Sequence, residues 1–124
     1  MDKLTFFRGL LFALRQHRAK FDAEGETFQK AFASTIERAK AEHPELVAKI
    51  SLEFDPIFGV YSEASEMLLE GEQDLVLALM NPRLGLARFK IGPAEAAEEL
   101  QAIPNAEWFK ELGGYFHQRL EASA

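Results

Sequence analysis

Cysteine is absent from the 124 residues. Its absence removes disulfides, thiolate nucleophiles and every zinc site built on sulfur, and it fits a reducing, cytoplasmic setting. Aromatic residues with polar tips are scarce, two tyrosines and one tryptophan against eleven phenylalanines. Most rings therefore need no hydrogen-bond partner once buried. No apolar run approaches the ~20 residues of a spanning helix. The longest, Leu10–Leu14 and Leu75–Met80, meet charge within a few residues.

Motif glycines are missing too. Neither Gly-x-Gly-x-x-Gly nor Gly-x-x-x-x-Gly-Lys-Ser/Thr occurs, so no phosphate-cradling loop of a common nucleotide enzyme can form. Gly-x-Ser-x-Gly is also absent, and with it the usual nucleophile elbow. The three histidines, His17, His43 and His117, are too far apart in sequence for a local zinc pair. The sequence thus carries no enzyme signature and implies no cofactor.

What is present is an ordinary globular mixture, 48% hydrophobic and 27% charged. The length suits one domain spanning 1–124. The net charge of −6 disfavours binding to phosphate backbones. It is unevenly spread: the first twenty residues hold five basic side chains against Asp2 alone, a local +4 that leaves −10 for the rest.

Hydrophobic spacing points to helices. Over 3–21, Phe7, Leu10, Leu14 and Phe21 share one helical stripe, while Phe12 projects away from it beside Arg8 and Arg15. A second helix is expected over 26–42, stopped by His43-Pro44, with a short third opening at Pro44 and carrying Leu46, Val47 and Ile50. Residues 51–61 mix turn formers with rings and are the least helical. Ser62 reads as an N-cap for a helix over 62–80 running through Gly71, with a split there as the alternative. Asn81-Pro82 ends it, and 84–91 alternates weakly as a strand would. Pro93 opens the next helix, and Asn105 caps a last one over 106–121 that Gly113-Gly114 should kink or fray. The expected fold is mainly α: a bundle of five to six helices with room for a two-stranded β-ribbon pairing 52–61 with 84–91.

Three functions compete. The first is a non-catalytic interaction module, self-associating as a homodimer, with Arg8, Phe12 and Arg15 as partner-binding residues because an exposed ring beside arginine anchors interfaces. The second is an apolar-ligand binder with a pocket near Trp108, Tyr115 and His117. The third is a metal-dependent enzyme in which Glu63, Glu66 and Glu70, on one helical face, converge with a histidine. A solvated helix face is the plainer reading of those glutamates.

Overall fold

A computed structural model describes residues 1–74, 76–80 and 85–122. Among them, five helices and two small antiparallel sheets follow in the order α1 (Lys3–Arg15), β1 (Lys20–Asp22), α2 (Glu26–Glu42), β2 (Phe54–Asp55), β3 (Val60–Tyr61), α3 (Ser62–Gln73), β4 (Leu77–Met80), β5 (Leu86–Phe89), α4 (Pro93–Gln101) and α5 (Ala106–Ala122). The fold is mainly α, as the spacing requires. Leu75 and the expected stop at Asn81-Pro82 lie outside the described residues, as does Leu84 at the start of the expected strand.

Helix α1 is the centre of the core. Asp2 caps it by accepting from the Thr5 amide at 2.7 Å, and its flanks pack against α5, α4 and α3. Because three helices cover it, Phe6, Phe7, Leu10, Leu11, Phe12 and Leu14 are all buried. A helix apolar on most sides needs such a setting. The closest crossing is with α5: a Cβ added at Gly113 would overlap Ala13, and one at Gly9 would meet Phe109 at 2.9 Å. Gly113 therefore sets the approach of the two helices, and α5 continues through Gly113-Gly114 without a break.

Two segments that share helical phase with their neighbours are strands instead. The helix expected over 3–21 ends at Arg15, whose Nε donates to the Ile91 carbonyl at 2.8 Å and whose Nη1 donates to the Arg18 carbonyl at 3.3 Å. The chain turns there and extends into β1. The helix expected over 62–80 ends at Gln73, and 77–80 is strand β4. Gly71 lets it turn back tightly, since a Cβ there would sit 2.6 Å from Leu77. Both strands flank β5 in the order β1-β5-β4, with Phe21 opposite Ala87 and Leu77 opposite Phe89. The ribbon expected between 52–61 and 84–91 does not form. Residues 54–61 pair with themselves, Phe54 opposite Tyr61, and 86–89 finds its partners elsewhere. Short apolar runs such as Leu77–Met80 fit helix and strand equally well, so periodicity alone cannot separate them.

The segment after Pro44 is a succession of three-residue turns, Leu46 to His43, Val47 to Pro44 and Ile50 to Val47, rather than a third helix. Its apolar side chains are nonetheless buried. Helix α3 begins one residue earlier than expected, with Tyr61 as its N-cap, and the Ser62 hydroxyl donates to Glu63 instead. Asn105 precedes α5 in the left-handed region, with φ of 66°, and its carbonyl accepts from the Phe109 amide. A chain of rings, Phe89 to Phe21 to Phe28 to Phe116, ties the three-stranded sheet through α2 to α5 at centroid separations of 5.7 to 6.2 Å.

Candidate functional site

The β2–β3 hairpin is built by turn chemistry. Asp55 accepts through Oδ1 from the Ile57 amide at 2.9 Å and the Phe58 amide at 3.3 Å. Its carbonyl accepts from the Gly59 amide at 2.8 Å, and Gly59 supplies the φ of +68° that closes the turn. Pro56 restricts the backbone between them. The hairpin is anchored inward by Gln29, buried on α2, whose Oε1 accepts from the Tyr61 amide at 2.7 Å.

This rigid turn holds its apolar side chains outward. Ile57 is 85% exposed, Phe58 76% and Phe54 53%. Among the described residues, the other large exposed apolar side chains, Leu4, Leu69 and Leu86, lie on three different elements, which is ordinary for a surface. Three within five residues is a patch. Beside it opens a cleft of about 540 Å³ between the hairpin and the start of α2, lined by Phe54, Phe58, Val60 and Tyr61 with Glu26 and Lys30 at its rim. Phe54 meets Tyr61 edge-on at 5.1 Å, and Lys30 pairs with Glu26 at 2.8 Å. Sequence reasoning passed over this site. Its signal was Asp55-Pro56-Ile57-Phe58-Gly59, which places two large apolar residues in the middle of a turn.

The expected partner-binding set is placed differently. Phe12 is 2% exposed, because α4 covers the side of α1 from which it projects. It is a core ring, not a free anchor. The Arg8 guanidinium carbon lies 5.8 Å from its centroid, with Arg8 Nε 3.6 Å from Asp74. Arg15 is spent on the turn after α1.

Trp108, Tyr115 and His117 do not meet in one pocket. Trp108 donates from Nε1 to Glu42 at 3.1 Å and meets His43 edge-on at 4.9 Å. Tyr115 lies under Arg38, 4.7 Å from its centroid. His117 points the opposite way from α5 and stacks on His17 at 5.2 Å. Nine residues of helix separate Trp108 from His117, which puts them about half a turn out of phase. The His117 Nδ1 is buried without a hydrogen-bond partner among the described residues. Burial first, then the nearby Arg18 and His17, lowers its pKa below the ordinary 6.5, with Glu121 opposing. A Cβ at Gly114 would make only ordinary contact with the His17 ring, 3.5 Å from Nε2, so the stack does not depend on that glycine.

The glutamates of α3 face a lysine, not a histidine. Lys3 Nζ lies 2.8 Å from Glu66 and 4.0 Å from Glu63, and the Glu66 bond holds the Lys3 pKa above its usual range. Buried Glu63 also accepts from Ser62 at 2.9 Å. Glu70 lies with Lys3 and Glu66 around a shallow groove. Among the described residues, no group of three or more His, Asp or Glu is arranged to hold a metal ion. None of their helices is long and apolar enough to cross a membrane. Comparison with protein-family models, curated proteins and solved structures produced no match, so the geometry of this surface alone carries the functional reading.

Proposed function

We propose that this chain is a non-catalytic protein-interaction module, working in the cytoplasm, whose contact surface is the β2–β3 hairpin and the cleft beside it. One observation carries the reading: Ile57 and Phe58 stand in solvent on a turn locked by Asp55 and Gly59. Leaving such side chains in water forgoes about 1.5–3 kcal/mol each. Their loops are already ordered, so binding loses little conformational freedom. The neighbouring Glu26, Glu53 and Asp55 and the net charge of −6 favour a polypeptide over a nucleic acid or an anionic membrane.

Selection of displayed random peptides on the immobilised full chain tests this. Binders should be recovered that lose their hold when Ile57→Asp or Phe58→Asp is introduced. Recovery of only hairpin-independent binders, or of none, would remove the reading.

A further inference from the structure

We infer that the cleft takes an arginine side chain of a partner peptide, whose backbone carbonyl meets Gln29. The inference rests on the interaction reading above and names the chemistry of the partner. Rings wall the cleft: Phe54, Phe58 and Tyr61. Phe54 and Tyr61 are inclined at 65°, so they form a corner rather than a closed stack. Aromatic faces attract cations, and guanidinium most often, because it is planar and weakly hydrated. Arg38 already lies over Tyr115 in this way. Among the described residues, no arginine or lysine lies over Phe54, Phe58 or Tyr61.

Charge points the same way. Glu26 and Lys30 at the rim pair with each other in solvent, add no net charge and contribute little. Glu53 and Asp55, the neighbours of Phe54 in the chain, form no ion pair among the described residues. Lys3, whose charge interacts with that of Glu53, is committed to Glu66 at 2.8 Å. The hairpin is therefore acidic and complements a basic partner. Gln29 adds a fixed donor. It is 6% exposed, and its Oε1 accepts from the Tyr61 amide. That amide needs an acceptor, so the carboxamide cannot flip. Nε2 forms no hydrogen bond among the described residues. It is not sealed either, since the wholly buried unpartnered atoms there are Arg8 Nε, Arg18 Nη1 and His117 Nδ1. It opens on the cleft that Gln29 lines, where it suits a carbonyl, which a peptide carries and a free amine does not.

Peptides selected on the immobilised full chain should share an arginine. In fluorescence anisotropy with a selected peptide, citrulline in place of that arginine keeps the shape and loses the charge. It should weaken binding at least about tenfold. That measurement uses the unaltered protein. Phe54→Leu keeps an apolar wall without a ring face and should weaken the arginine peptide by about five- to thirtyfold. Hairpin-dependent peptides with a purely apolar consensus, or equal binding of the citrulline peptide, overturn the inference and leave the interaction reading standing. Equal affinity for Phe54→Leu overturns it too. Recovery of no hairpin-dependent peptide removes both.

Discussion

Two regions of this molecule put aromatic rings in contact at nearly the same spacing, with opposite consequences. Where α1 crosses α5, Phe6 and Phe109 lie 5.5 Å apart and are fully buried. In the hairpin, Phe54 and Tyr61 lie 5.1 Å apart, yet Phe54 is 53% exposed. Ring geometry does not distinguish them. What differs is the source of rigidity: the helix crossing is held by packing behind the rings, the hairpin by backbone and side-chain bonds along the chain itself. Core rings stabilise the fold, whereas hairpin rings remain available to something outside it.

The sharpest way to break that contrast is to truncate one ring from each region. Phe109→Ala should cost about 3–5 kcal/mol in urea unfolding, as loss of a buried ring with little room for relaxation does. A cost below about 1 kcal/mol would mean that α1 and α5 are not held as described. The next effect concerns spacing. Gly113→Ala places a methyl against Ala13 and should cost about 1–3 kcal/mol through overpacking. Were the helix crossing looser, the same change would stabilise, since alanine is the better helix former by about 1 kcal/mol.

A smaller effect comes from pH. Burial lowers the pKa of His117, so the unfolded chain takes up its proton first as pH falls. The stability that His117 contributes is whole above about 6.5, the ordinary value, and is lost progressively below it as pH approaches the lowered one. The Glu42 and Glu45 pKa values are also lowered, held by the Trp108 and His43 hydrogen bonds respectively, but theirs is lost only below about 4.5. Unfolding midpoints should therefore fall between pH 6.5 and 4.5 in the wild type and fall less in His117→Gln. An equal slope in both would show that the His17 stack and burial do not govern this ionisation. Smallest of all is Phe58→Ser, expected to change stability by no more than about 0.5 kcal/mol, because the ring is 76% exposed. A cost of 2 kcal/mol or more would place the ring inside a core and erase the distinction between the two regions.

Much of the fold is legible along the chain because helices are local. Phe28, Phe32, Ile36 and Ala39 line one side of α2, and Pro93 opens α4 where a proline costs nothing. The strands were less legible for a physical reason. Phe21 fits the α1 stripe and the alternation of β1 alike, and only pairing with Ala87 decides between them. The same holds for Leu77, whose strand exists because Phe89 lies opposite. The candidate site was the least legible part. Its turn residues were visible, but exposure is a property of what fails to pack nearby, and no local pattern encodes that.

Composition and spacing by themselves determined a cysteine-free, mainly helical chain with a phenylalanine core and no common catalytic motif. Those features depend on residue chemistry and on neighbours three or four positions away. Tertiary structure alone decided that Phe12 is covered by α4, that Trp108 and His117 leave α5 on opposite sides, and that Ile57 and Phe58 stay in water. Each of these outcomes depends on which distant segment arrives at a given face, and burial is settled only by that arrival.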